Sequence, residues 1–276
     1  MFSLQMRIGT LPALVDLLCL IIHEKFYLST SGTQLNIAMR YHVGIGCSFG
    51  ASDHNVHKHL AEKLDANFIN LSESGRGNFR IYTELLYWSA TNQEKLKNTT
   101  FSIGWSSIYR NDMIEDHGDK NNAFKWARWR ADRDDPTHKH LPTSVNVQTD
   151  HTVRFLSHVI ATQNLLKILK CNYIMYNAID TYTDRSVFDT HTALRMKFLD
   201  KQIDRSNFFK YTTSHSKFVS DNKYFKDPRP RTLIRNITNW PTDDMQYEVK
   251  DAHPSIEGDR VWAELIWQFN QENKIL

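Results

Sequence analysis

Arg40-Tyr41-His42-Val43-Gly44-Ile45-Gly46-Cys47-Ser48-Phe49-Gly50 is the stretch on which the fold turns. Tyr41, Val43 and Ile45 make a β-prone apolar run, and Gly44, Gly46 and Gly50 gather where it ends. A polar, helix-compatible segment follows from Ser52 to Leu64. The local reading is strand, tight turn, helix, with Ser48 in the turn. An open parallel sheet presents reactive groups there, outside the carboxyl ends of its strands. Ser48 is therefore a candidate nucleophile with a helix amino terminus close behind it. An ordinary helix N-cap explains the same serine. This stretch alone leaves both readings open.

Downstream, Ala66 to Leu71 reads as a second strand, and Ser72 to Asn78 as a turn cluster containing Gly75 and Gly77. A helix follows from Phe79 to about Thr91, then a third strand over Thr99 to Trp105. Thr152 to Lys170 has apolar residues at helical spacing and lysines at its end. Asn172 to Ala178 is a fourth strand, Thr192 to Asp204 a charged helix, and Phe208 to Thr212 a candidate fifth strand. Such alternation predicts an α/β domain, with helices on both faces of a central parallel sheet.

Between Asp112 and Thr149 the pattern breaks. This polar region carries Asp132, Asp134, Asp135, His117, His138 and His140, with His151 just beyond, and it reads as an insertion or lid over the carboxyl edge of the sheet. Histidine and carboxylate suit zinc, but no pair there has helix-compatible spacing with a third obvious ligand, so neither metal nor cofactor is expected. Lys125-Trp126-Ala127-Arg128-Trp129-Arg130 interleaves bases with aromatics, as binders of single-stranded nucleic acid do. Flanked by acids, it reads instead as a surface helix with its tryptophans turned inward, and a nucleic-acid partner is not expected.

Composition sets the remaining bounds. A length of 276 residues suits one large α/β domain or two small ones. A net charge of +3 is too small to argue for a polyanionic partner. Cys19, Cys47 and Cys171 are widely spaced and odd in number, which supports neither a disulfide framework nor a zinc site and fits a reducing compartment. Seven tryptophans and eleven tyrosines are compatible with a sugar-handling cleft, although a core also accounts for them. The apolar run Leu11 to Ile22 is too short to span a bilayer and contains Asp16. It also lacks the basic start and small-residue cleavage site of a signal peptide. Residues 1–38 are expected to be an amino-terminal extension, either a packing helix or dispensable, before a domain over 39–276. A cytoplasmic or virion-associated location is favoured over secretion.

At the other end, Asp251-Ala252-His253-Pro254 enters a terminal helix marked by Val261, Leu265 and Ile266. Acyl transfer by a serine needs a base, a carboxylate to fix the imidazole tautomer, and donors for the developing oxyanion. Loops after different strands of a doubly wound sheet converge on one edge. Ser48 can therefore meet Asp251 and His253 across about 200 residues of sequence. In a chain with 13 histidines, a surface Asp beside a loop His is the plainer account of that pair. Gly46-Cys47-Ser48-Phe49-Gly50 also fits the G-x-S-x-G elbow of α/β-hydrolases. That fold is rejected: only one strand precedes Ser48 here, and Asp and His lie two residues apart rather than on separate loops.

Four short blocks in order resemble the SGNH (GDSL-like) hydrolase superfamily. Gly46-Cys47-Ser48 matches its G-D-S block, with Cys in place of Asp. Gly75, followed by Asn78, matches its second block. Gly104-Trp105-Ser106-Ser107 matches G-x-N-D, with serines replacing both Asn and Asp. Asp251-Ala252-His253 matches D-x-x-H, one residue shorter. The resemblance covers roughly residues 39 to 272 and is closest to phage and environmental members. It implies a flavodoxin-like three-layer α/β/α sandwich and an esterase or acetylhydrolase acting on O-acylated substrates, carbohydrate esters among them. By the same resemblance Ser48 is nucleophile, His253 base and Asp251 its partner. Oxyanion donors would be the N–H groups of Ser48 and Gly75, with Ser106 at the position of the family's Asn side chain and Asn78 as a substitute. Losing one such donor costs about 10² to 10³ in rate. The altered third and fourth blocks leave a second reading: a non-catalytic binding or virion-associated structural protein. Cys47 as nucleophile is disfavoured, because strand alternation points it away from the side Ser48 faces.

Overall fold

Strand β1 (Tyr41–Gly46) is flanked by β2 (Asn67–Asn70) and β3 (Thr99–Trp105), both parallel to it. In the computed structural model, residues 39–108, 110–115, 125–130, 147–179, 190–224, 231–233, 247–249 and 253–276 are described. Chain contacts separate Met1–Ala38 from Met39–Leu276. The expectation for residues 1–38 lies outside the described residues, as does that for the histidines and aspartates of the insertion before residue 147.

β3 pairs in turn with β6 (Asn172–Asn177), and β6 with β7 (Phe208–Ser214), giving a five-stranded parallel sheet in the order β2-β1-β3-β6-β7. The chain leaves β1 in one direction to make β2 and then crosses to the other side to make β3. That reversal opens a crevice between the carboxyl ends of β1 and β3, where doubly wound sheets hold their ligands.

Period-two alternation divides the strand residues between two cores. On one face Val43, Ile45, Phe101, Ile103, Trp105 and Met175 pack under α2 (Asn78–Thr91), α4 (Val147–Ile168) and α5 (Thr190–Lys201). On the other face Ile174, Tyr176 and Phe209 pack under α1 (Val56–Lys63) and α7 (Ile256–Asn273). The result is the α/β domain that the alternation of strands and helices predicts, and a three-layer α/β/α sandwich of flavodoxin-like order, as the resemblance implies. A short helix, α3 (Gln93–Leu96), links α2 to β3. Helix α7 shows why its stretch folds this way: Asp259, Trp262, Ala263, Ile266 and Asn270 form one buried stripe. Its N-cap Ser255 accepts from Gly258 N–H at 3.1 Å, and Glu257 and Asp259 complement the first-turn dipole.

Several expectations are corrected. Lys125–Arg130 is not a helix but strand β5, antiparallel to β4 (Arg110–Glu115), with Arg110 opposite Arg130. Tryptophan favours strands, and six residues are too few for a helix unless packing supports it. The region read as an insertion therefore holds a two-stranded arm, and α4 begins at Val147 rather than Thr152. The weakly patterned stretch after Asp180 contributes α6 (His215–Asn222) and a small antiparallel pair, β8 (Arg231–Leu233) with β9 (Tyr247–Val249).

Candidate active site

After Gly46 the chain turns sharply: Gly50 N–H donates to the Cys47 carbonyl at 2.9 Å. Ser48 stands in this turn but does not cap α1. The cap is Asn55, whose side chain accepts from Lys58 N–H at 3.0 Å. The helix begins at Val56, so its amino terminus is not directly behind the serine. Ser48 Oγ is shielded from solvent and has no hydrogen-bond partner among the described residues. Leaving a buried hydroxyl unpaired costs about 1–3 kcal/mol. Such an orphan in a crevice calls for a functional explanation. Cys47, by contrast, is 0% exposed and belongs to the core beneath α7, so its thiol is sealed from substrate.

A polar pillar stands beneath this turn. His42, Gly44 and Gly46 on β1, with Thr100, Ser102 and Gly104 on β3, face α1, and His57 from α1 fills the space that the glycines leave. A β-carbon on Gly44 would collide with His57 Cβ, and one on Gly50 would lie 2.7 Å from the His57 ring. His57 Nδ1 is 2.6 Å from Ser102 Oγ, Ser102 Oγ is 2.7 Å from His42 Nε2, and His42 Nδ1 is 2.8 Å from Thr100 Oγ1. Tyr176 Oη is 3.3 Å from His57 Nε2. Thr100 donates to the Tyr41 carbonyl, at 3.4 Å, and this fixes the direction of the chain. Thr100 must then accept from His42 Nδ1–H, which leaves His42 Nε2 to accept from Ser102. Ser102 accepts from His57 Nδ1–H, and His57 Nε2 accepts from Tyr176. Both imidazoles are neutral in this scheme. Burial accordingly pushes His42 and His57 down to about 3, with the charges of His42 and His215 adding a smaller push on His57. The constellation has the look of a catalytic relay. Yet the polar atoms of His42, His57 and Ser102 are committed to one another and to Thr100 and Tyr176 beneath the turn, so they support the turn instead.

The carboxy-terminal loop comes to the same place. The His253 ring packs on Phe49, the residue after Ser48, with centroids 5.1 Å apart and planes at 31°. Phe49 also meets His215 edge-on at 5.6 Å, and His215 stacks on Trp262 at 5.1 Å and 8°. An aromatic column thus runs from α7 to His253. The loop is tied down where Ser255 N–H donates to the Tyr224 carbonyl at 2.7 Å. Asp251 lies outside the described residues. His215 and Asp259 are 3.8 Å apart, too far for a hydrogen bond. Burial drives both to their neutral forms, His215 down to about 3 and Asp259 up to about 8, so they are not an ion pair.

On the other side of the crevice, two loops are clasped together. Gly75 adopts φ 78°, which a residue with a β-carbon would resist. The loop around it is braced by buried Arg76, which binds the Leu71 carbonyl and pairs with Glu73 at 3.0 Å and Glu84 at 3.4 Å. Asn78 accepts from Ser106 N–H at 2.8 Å and donates to the carbonyls of Ser106 at 3.1 Å and Ser107 at 3.3 Å. Both amide hydrogens are therefore spent on the loop after β3, and none is left for an oxyanion. Ser106 is 0% exposed, and its Oγ accepts from Arg110 Nη1 at 3.3 Å. Asp112 accepts from Gly77 N–H at 2.9 Å and Arg80 N–H at 3.1 Å, capping α2 where Gly77 has no side chain to do so. Burial raises its carboxyl, against those same hydrogen bonds.

Sequence reasoning missed His57, the Asn78 clasp and Arg110. The first had a signal, three glycines spaced to receive a ring; the others are contacts between separate loops and had none. Among the described residues no group of three or more His, Cys, Asp or Glu could hold a metal ion, and no helix is long and apolar enough to cross a membrane.

No protein-family model and no curated protein matches the sequence. Among solved structures, the chain is similar to a lipase/acylhydrolase from Enterococcus faecalis, with 9% identity, a TM-score of 0.42, and 85% of this chain and 96% of that one covered. A psychrotrophic esterase from Pseudoalteromonas sp. matches with 10% identity and a TM-score of 0.42, over 84% and 97% of the two chains. A carbohydrate esterase family 2 enzyme from Corynascus thermopiles matches with 10% identity and a TM-score of 0.42, over 88% and 68%. Likeness at this level says nothing about activity.

Proposed function

We propose that the chain is a serine hydrolase of the SGNH type, a carboxylic-ester hydrolase acting on O-acylated substrates, carbohydrate esters among them. The observation that carries this reading is the packing of His253 on Phe49, which brings the carboxy-terminal loop beside the Ser48 turn at the sheet's switch point. The uncommitted Ser48 hydroxyl supports it further.

In this reading Ser48 Oγ attacks the ester carbonyl while His253 takes its proton, and Asp251 holds the imidazole in the tautomer that can accept it. The N–H groups of Ser48 and Gly75 and the Ser106 hydroxyl hold the oxyanion. Asn78 keeps the Ser106 loop against the Gly75 loop rather than donating itself. Collapse of the tetrahedral adduct breaks the bond to the alcohol, which leaves with the proton from His253. Water, deprotonated by the same imidazole, then releases the acid and restores the serine.

The test is hydrolysis of an uncharged short-chain aryl ester by the full chain, beside Ser48→Ala. Activity should fall at least about 10³-fold in the variant. A fluorophosphonate should also label Ser48 covalently. Activity that survives the substitution, or no labelling at all, would return the chain to the binding-module reading.

A further inference from the structure

We propose that Arg110 is a positioning residue that makes Ser106 work as the third oxyanion donor, a guanidinium-polarised hydroxyl standing where a side-chain amide would otherwise serve. This rests on the serine-hydrolase reading above.

The difficulty it answers is physical. An amide presents fixed hydrogens, whereas a serine hydroxyl is shorter and rotates, so a bare Ser106 would be a poor donor. Gly46 and Gly104 are register partners in adjacent parallel strands, so Ser48 and Ser106 each lie two residues beyond the paired glycines, at neighbouring strand ends. The Arg110 guanidinium donates into Ser106 Oγ at 3.3 Å. A charged donor occupying one lone pair restricts where the remaining hydrogen can point and strengthens it as a donor. Arg110 is half-buried and makes no ion pair with any described residue.

The backbone fixes this pair. Arg110 N–H donates to the Ser107 carbonyl at 3.1 Å, closing the turn that links the two residues. Gly77 comes so close to the Arg110 carbonyl that a β-carbon there would collide with it. Asn78 grips Ser106 on both its N–H and its carbonyl. Arg110, Ser106 and the Gly75 loop are therefore parts of one rigid unit, as preorganised electrostatic stabilisation requires.

The experiment is steady-state kinetics on an uncharged aryl acetate, with full-length Arg110→Met, Arg110→Lys, Ser106→Ala and the double variant Ser106→Ala/Arg110→Met. Thermal unfolding and the rate of fluorophosphonate labelling at Ser48 are measured in parallel. Ser106→Ala should lower kcat about 10²-fold with KM little changed. Arg110→Met should lower kcat about 10- to 100-fold, Arg110→Lys less, and the double variant no further than Ser106→Ala alone. In the kinetics, three results overturn the proposal: an unchanged kcat in Arg110→Met, a rise in KM alone (which would make Arg110 a substrate anchor), or an equal loss from Arg110→Met in both backgrounds. Should Arg110→Met fail to fold, Arg110→Lys is judged by the same kcat and KM criteria. A wild-type chain that takes no label at Ser48 overturns the hydrolase reading and this one together. Labelling that is insensitive to Arg110 overturns this one alone.

Discussion

At the scale of single residues, the candidate site is held together by side chains whose polar atoms are spent on structure. Asn78 is the clearest of them, with three hydrogen bonds joining its loop to Ser106 and Ser107. Replacing it with alanine leaves a buried N–H and carbonyl unpaired. Asn78→Ala should therefore destabilise the chain by about 2–4 kcal/mol in urea unfolding. A cost below about 1 kcal/mol would show that the two loops are held by something else. The sequence offered Asn78 as an oxyanion donor because its position matched; its partners show that it spends its amide on structure.

At the scale of elements, α2 follows Gly77, an N-cap residue with no side chain to cap it, and borrows Asp112 from β4. The carboxylate accepts from two N–H groups of the first turn at once and complements the helix dipole. Asp112→Asn keeps one acceptor but turns an NH₂ toward backbone donors. It should cost about 1–2 kcal/mol and loosen the turn at Gly75. Amide hydrogen exchange over residues 75–82 checks this, and unchanged protection there would rule out the cap. The same element shows why Lys125–Arg130 was misread: β5 exists because β4 offers it a partner, and pairing between distant segments leaves no periodic mark in either.

At the scale of the whole molecule, buried ionisable groups set the response to pH. His42, His57 and His215 are held down to about 3 and His158 to about 4, all chiefly by burial. The unfolded value is about 6.5. Between these limits the unfolded chain binds protons that the folded chain refuses, so stability is full above about 6.5 and falls as the pH drops. Asp259 acts in the opposite sense. The folded state keeps its proton up to about 8 while the unfolded state loses it near 3.8, so it costs stability as the pH rises through that window. Near pH 5 the balance favours the histidines by about two to three protons, a slope of about 3 to 4 kcal/mol per pH unit. Urea unfolding between pH 6.5 and 5, where few carboxylates titrate, should show stability falling on acidification, and more steeply in Asp259→Asn. A flat profile would mean that these imidazoles gain protons without unfolding.

By itself the sequence determined the layers and the order of strands and helices around Ser48. Those features are local: alternation in β1 and β3, helical spacing in α4 and α7, and glycines at the strand ends each leave a mark within a few residues. Only the tertiary structure decided that Asn55 rather than Ser48 caps α1, that His57 fills the glycine face under the turn, and that Asn78 and Arg110 divide the work of holding Ser106. These are contacts between segments that meet only when the sheet has formed. Their geometry belongs to the packed molecule and not to any stretch of the chain.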